Sequence, residues 1–144
     1  MHCYVSWSTL FWLEVQDNKP SIQSTIQGVL SRMHHHPVKI AGSGRTDAGV
    51  HAFGQCFHFD TDLDLSEERW VIAINSQLPK DIKILEAKFV SKQFHARYSA
   101  VSKRYDYLIS KEEVNPFSYQ THLSVTKELN YHAMNQAISV LIGT

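Results

Sequence analysis

Gly44-Arg45-Thr46-Asp47-Ala48-Gly49-Val50-His51-Ala52 lies between two strand-like runs, residues 37–41 before it and residues 54–60 after it. Two glycines bracket an arginine and an aspartate two positions apart. Glycine lets the backbone take positive φ and approach a ligand closely. The stretch therefore reads as a tight loop joining two strands, with the Asp47 carboxylate carried on a rigid scaffold, as catalytic groups often are. Arg45 sets a permanent positive charge beside that carboxylate. A positioned, ionised carboxylate acts as a nucleophile or as a general base. The plain alternative is a glycine-rich turn in which Asp47 caps its own backbone.

Working outward, residues 21–33 predict a helix, because Ile22, Ile26, Val29, Leu30 and Met33 share one face at helical spacing. Pro20 and Ser21 mark its start. His34, His35 and His36 follow; adjacent residues point in different directions, so a polar helix end near the negative pole of the dipole fits better than a metal site. Pro37 stops the helix, and Val38 and Ile40 alternate as a strand. Beyond the loop, Gln55, Phe57 and Phe59 alternate with Cys56 and His58 as a half-buried strand, with His58 structural. Ser66 caps a second helix with Glu67 and Glu68 in its first turn. Trp70, Val71, Ile74 and Leu78 form its buried face, and Pro79 ends it. Ile82, Ile84, Ala87 and Phe89 read as a further strand. With a first strand and turn within residues 2–16, the order is strand, helix, strand, strand, helix, strand. That is the α+β, ferredoxin-like or RRM-like split βαβ pattern: an antiparallel sheet with helices on one face and the other face free for a ligand.

Residues 94–97 form a short loop. Residues 102–110 read as a strand, with Lys103, Tyr105, Tyr107 and Ile109 on one face and Arg104, Asp106 and Leu108 on the other. Cations interleaved with aromatics suit RNA, since lysine and arginine meet phosphates and a ring stacks on a base. Tyrosine is equally a common strand residue on a solvated face. Residues 111–119 are a polar linker, residues 123–125 a short strand, and residues 130–142 a helix with Tyr131, Met134, Ile138 and Leu141 on one face. The expected division is a loop-bearing domain over residues 1–110 and, over 111–144, a linker with the first elements of a second, similar domain.

The run Gly44 to His51 resembles, without interruption, the signature of the TruA family of transfer-RNA pseudouridine synthases. The resemblance continues through Gly54-Gln55, His58-Phe59, Asn75, Leu78-Pro79, Asp81-Ile82, Phe94-His95-Ala96-Arg97, Ser99-Ala100 and Arg104-Tyr105. It implies an enzyme that isomerises uridine to pseudouridine in the tRNA anticodon stem-loop, at tRNA positions 38, 39 and 40. It makes Asp47 the catalytic carboxylate and Arg45 its partner, placed to fill the gap left by the flipped base. Tyr105 would lie against the target uracil, with Lys103 and Arg104 as RNA contacts. Arg97 takes an RNA or a structural role, and His51 a backbone-bonding or a chemical one. The resemblance implies no metal and no cofactor. Its partners are tRNA and, for a complete chain, a second copy in a homodimer.

The resemblance fails near the start. Val5-Ser6-Trp7 stands where the family has Tyr-Asp-Gly, Trp12 where it has a second glycine, and Glu14 where it has a glutamine; Ser8, Phe11 and Gln16 fit. Either strand 1 is rebuilt or the segment is a damaged gene product. The sequence also looks like the amino-terminal half of the enzyme with the opening of the second half. An inactive remnant that at most binds RNA or a partner is therefore the rival expectation. On either reading the 144-residue chain alone is expected to be marginally stable, to self-associate and to leave tRNA unmodified. A generic hydrolase built on Asp47 has no second acid, metal set or oxyanion motif to support it.

Composition is compatible with these readings. The 144 residues are 43% hydrophobic and 19% charged, as in a soluble globular protein. Formal net charge is zero, so any RNA contact comes from a local basic patch. Cys3 and Cys56 have no metal-type spacing and read as reduced thiols in the cytosol, which suits a cytoplasmic protein. No run approaches the ~20 apolar residues of a membrane span, and the apolar start lacks the basic residues and cleavage site of a signal peptide.

Overall fold

A computed structural model describes the backbone of residues 2–9 and the whole of residues 21–47 and 49–143. The readings made on residues 10–20 and on Ala48 lie outside these. Two compact units are described, residues 1–103 and residues 104–144.

The first unit runs β1 (His2–Thr9), α1 (Ile22–His34), β2 (Ala41–Gly42), β3 (Ala52–Asp60), α2 (Glu67–Asn75), β4 (Ile82–Val90). It is an α+β unit: its four strands make one antiparallel sheet in the order β2-β3-β1-β4. β1 is central and pairs with β3 and β4 along its length, Val5 standing opposite Phe57 on one side and Ala87 on the other. Its register shifts at Trp7, next to both neighbours. Bulges of this kind recur at strand ends beside functional loops, and here β3 leaves the motif loop at the same end of the sheet.

Both helices begin as their sequences dictate. Ser21 Oγ accepts from Ser24 N at 3.1 Å, while Ser24 Oγ accepts from Ser21 N at 2.9 Å, a reciprocal cap. Ser66 Oγ accepts from Arg69 N, and hydrogen bonding to its own backbone N–H and to Ser66 holds the Glu68 carboxyl below its ordinary range. One core joins Ile22, Ile26, Val29 and Leu30 of α1, Trp70 and Ile74 of α2, Phe57 and Phe59 of β3, and Ile82, Ile84 and Ala87 of β4. Val71 and Leu78 are only half-buried against it.

Three expectations change. Residues 37–41 are not a strand; only Ala41–Gly42 joins the sheet. Val38 N donates instead to Ser31 Oγ at 2.9 Å and Ile40 N to Gln27 Oε1 at 3.2 Å, so α1 side chains take the donors that a ladder would use. The opposite edge is covered in the same way. Ile84 N donates to Asn75 Oδ1 (2.8 Å), Asn75 Nδ2 donates to Ile84 O (2.9 Å), and Phe89 N donates to Glu67 Oε1 (2.8 Å). An edge occupied by helix side chains offers fewer free groups to a foreign strand. Second, the three histidines at the end of α1 divide, His35 and His36 being exposed and His34 turned inward. His34 is buried, stacked on Trp70 with ring centroids 5.7 Å apart, and bonded through Nδ1 to Leu30 O and through Nε2 to Thr61 Oγ1, both at 2.7 Å. His35 beside it takes the left-handed cap (φ 56°) and is exposed.

Third, residues 102–108 are in no strand; only β5 (Ile109–Ser110) forms, pairing in parallel with β6 (Leu123–Ser124). All of residues 101–109 are exposed. A strand, unlike a helix, cannot satisfy its backbone within itself, and alternation without a partner ladder does not hold one. The second unit ends with α3 (Tyr131–Ser139), capped by Asn130 Oδ1 on Ala133 N at 3.0 Å. Its apolar face is open: Tyr131, Ile138 and, just beyond the helix, Leu141 are all more than half exposed. Among the described residues no helix is long and apolar enough to cross a membrane.

Candidate active site

The loop between β2 and β3 is fastened at its base by one side chain. Gln55, in β3, accepts from Ser43 Oγ at 2.7 Å through Oε1 and donates to Gly44 O at 2.9 Å through Nε2. Ser43 N also donates to Cys56 O at 2.8 Å. A primary amide offers a donor and an acceptor at once, so Gln55 holds both the last residue before the loop and the first residue within it. Further along, Val50 N donates to Asp47 O at 3.3 Å, and Gly49 stands at φ +79°. The two bracketing glycines thus have different reasons. Gly49 supplies the left-handed turn that follows the aspartate. At Gly44 a β-carbon would stand 2.6 Å from Lys103 Nζ, the far end of a flexible side chain, so this glycine marks the approach of Lys103 more than a steric need.

Asp47 is exposed on this loop. Arg45, two residues earlier, is also exposed, and His51, at the foot of β3, is half-buried. Lys103 is thereby brought to the loop that carries Asp47, although it lies 56 positions later. Arg97 is exposed in the loop of residues 94–99, which is tied to the sheet by Ala96 N donating to His58 Nδ1 at 3.0 Å. Arg104 and Tyr105 belong to the second unit. There Arg104 Nε donates to Asp106 Oδ1 at 2.8 Å, an exposed pair, and Tyr105 is 74% exposed. Among the described residues no group of three His, Cys, Asp or Glu side chains is arranged to hold a metal ion.

Sequence reading alone did not assign Ser43 and Gln55 their part in building the loop. The signals for Gln55 are its place in the matched pair Gly54-Gln55 and an amide set among the aromatic residues of β3.

Gly49→Ala tests the turn. A β-carbon at residue 49 meets nothing within 4 Å among the described residues, so the cost is that of backbone alone, about 1–2 kcal/mol for an L-residue held left-handed. Urea unfolding followed by far-UV circular dichroism should show a loss of that size. A loss below a few tenths would mean that the loop relaxes out of the positive-φ turn.

A sequence model described as tRNA pseudouridine synthase matches residues 9–99, so the match takes in α1, β2, the whole Asp47 loop, β3, α2 and β4. The chain is 50% identical over 131 residues to tRNA pseudouridine synthase A of an Exiguobacterium species, covering 91% of this chain and 53% of the relative. It is 45% identical over 134 residues to the protein of the same name from Bacillus pumilus (91% and 54%). The Staphylococcus epidermidis protein is 41% identical over 132 residues (91% and 49%). The chain spans about half the length of the curated relatives it matches. With its signature loop intact and the family match covering more than half of its residues, the chain belongs to the tRNA pseudouridine synthase family.

Proposed function

We propose that this chain forms the half of a tRNA pseudouridine synthase that carries the catalytic carboxylate, and that it acts on uridines of the anticodon stem-loop. The observation that carries this reading is the exposed Asp47 on a loop fastened by Gln55, with Lys103 drawn against Gly44. The relatives are named as tRNA pseudouridine synthases, and tRNA is the substrate carried over from them.

The chemistry conserves atoms. The target uridine leaves the stack so that a loop can reach it. Asp47 attacks the sugar C1′, attacks the base or removes a proton, and the bond from C1′ to N1 breaks. The uracil turns, C1′ bonds to C5, the hydrogen on C5 leaves as a proton, and N1 ends protonated. Arg45 stands in the gap left by the base. Lys103 and Arg97 hold phosphates, Arg104 contacts the RNA backbone, and Tyr105 stacks on the uracil. His51 orders the loop's exit into β3.

The strand order β2-β3-β1-β4, with β1-α1-β2 and β3-α2-β4 each spanning a neighbour, is what a ferredoxin-like fold requires. We assign the first unit to it. Residues 104–144 open a second, similar domain, whose continuation would cover the apolar face of α3. The complete enzyme works in the cytoplasm as a homodimer with tRNA across both subunits.

The test is binding and modification together. Joined to the remaining half of the Exiguobacterium relative, the chain should bind unmodified tRNA and place pseudouridine in the anticodon stem-loop. Lys103→Ala should weaken binding of all tRNAs alike and lower the slope of log K against log salt by about 1, as the loss of a phosphate contact does. An unchanged slope would put Lys103 outside the RNA contact.

A further inference from the structure

Three consecutive backbone amides in the loop of residues 94–99 donate to imidazoles. Ala96 N donates to Nδ1 of His58 at 3.0 Å. Arg97 N and Tyr98 N both reach Nδ1 of His95, at 3.2 and 3.4 Å. The two imidazoles meet edge to face with centroids 4.6 Å apart, and the Tyr98 ring lies 4.3 Å from that of His95. The loop closes on itself as well, His95 N donating to Ser99 Oγ at 3.1 Å and Ser99 N to His95 O at 2.8 Å. His58 and Ala96 are buried, whereas Arg97 and Tyr98 project into solvent.

An imidazole nitrogen accepts an N–H only through a free lone pair. Both rings must therefore carry their proton on Nε2. An apolar residue at position 58 would leave the buried Ala96 N–H without this acceptor, and such a group is costly to leave unpaired. The arrangement fixes the backbone on both sides of Arg97 and leaves its guanidinium outside. Backbone ordered before binding is not ordered again at the expense of affinity.

We infer that His58 and His95 are positioning residues that hold Arg97 ready for a phosphodiester of the bound tRNA. The inference rests on the reading of this protein as a tRNA-binding enzyme. Neither histidine touches the RNA. His58 acts from the sheet, through Ala96 N, and His95 from within the loop.

The experiment compares tRNA affinity across a salt series for the parent, Arg97→Gln, His58→Leu, His58→Asn, His95→Ala and the double variant His58→Leu/Arg97→Gln. Asparagine sets an amide oxygen close to where Nδ1 stood, whereas leucine fills similar space with no acceptor. In the parent, imidazole nitrogen-15 spectra should show a bare Nδ1 and a protonated Nε2 on both rings, with a scalar coupling from the Ala96 amide nitrogen to His58 Nδ1. Arg97→Gln should lower the salt slope by about 1. His58→Leu and His95→Ala should lower it by the same amount, the double variant should be no weaker than Arg97→Gln alone, and His58→Asn should restore binding. His95 is only half-buried, so His95→Ala keeps the test open if His58→Leu does not fold. Parent-like binding by His95→Ala or a folded His58→Leu, beside weak binding by Arg97→Gln, would overturn the inference. So would additive losses in the double variant or a protonated Nδ1. A parent that does not bind tRNA, or Arg97→Gln that binds as the parent does, would overturn it at its premise and fault the functional reading instead.

Discussion

Asp47→Asn should stop pseudouridine formation, by a factor of at least ~10³, and leave tRNA affinity where it was. The substitution keeps the size and shape of the side chain and removes its charge. The loop should survive it. Bonds of the loop among the described residues come from Gln55, Ser43, Gly44 and the backbone of Asp47 and Val50, with the Asp47 carboxylate in none of those contacts. What is lost is the nucleophile or base. Positioned acid–base groups are worth ~10²–10⁴ in rate, and removing a nucleophile outright costs more. Affinity and rate should separate in one preparation: equal binding constants for unmodified tRNA, and no product from the variant on a timescale that exhausts the substrate with the parent. Turnover within about tenfold of the parent, a barrier change of only ~1.4 kcal/mol, would remove Asp47 from the chemistry.

Trp70→Ala should cost the first unit ~3–5 kcal/mol of stability. Trp70 is wholly buried, with the His34 ring stacked on it and the Phe59 ring edge-on at 5.4 Å. It is therefore the piece that joins the end of α1 to α2 and β3. Truncating a buried tryptophan costs ~3–5 kcal/mol, set against a total of ~5–15 kcal/mol for a domain. Among the described residues no acceptor reaches Trp70 Nε1. A buried unpaired donor costs ~1–3 kcal/mol, so Trp70→Phe, which removes that N–H with part of the volume, should lose much less than Trp70→Ala. Urea unfolding of the two variants measures the difference. A loss below ~1.5 kcal/mol for Trp70→Ala would place this side chain outside the core.

Helices were the most legible part of the sequence, since a helix carries its own backbone bonds and its buried face repeats along the chain. Ser21 and Ser66 cap where they were expected to, and Ile22, Ile26, Val29, Leu30, Trp70 and Ile74 are the residues that the helical spacing selected. Strands were less legible because their bonds lie with partners far along the chain. Val38 and Ile40 are buried as their alternation suggested, yet their amides go to Ser31 and Gln27. Residues 102–108 alternate well yet join no strand among the described residues, Leu108 O alone accepting a backbone bond, from Leu123 N at 2.9 Å, which leaves Tyr105 and Arg104 outside any ladder. His34 could not be told from His35 and His36 by composition; what separates them is that α1 turns its last buried position onto Trp70 just before the left-handed cap.

The candidate site divides along the same line. The Asp47 loop is local, so nine consecutive residues, together with the strand-like runs on either side, announced it. Its fastening is not local. Gln55 and Lys103 reach it from other segments, and His58 ties down the Arg97 loop from 38 positions away. Sequence spacing marks none of these contacts, although each bears on where a charged group stands.

Release of tritium from tRNA labelled at C5 of uridine tests the account most directly. Each conversion replaces the C5–H bond with the new bond to C1′, so one tritium reaches water per pseudouridine formed, and a protein that only binds RNA releases none. The chain joined to the remaining half of the Exiguobacterium relative should release tritium in step with pseudouridine appearing in the anticodon stem-loop, and the same protein carrying Asp47→Asn should release none. Tight tRNA binding with no release by the joined protein, or release that persists in Asp47→Asn, would contradict the claim that this loop carries the catalytic carboxylate of a tRNA pseudouridine synthase.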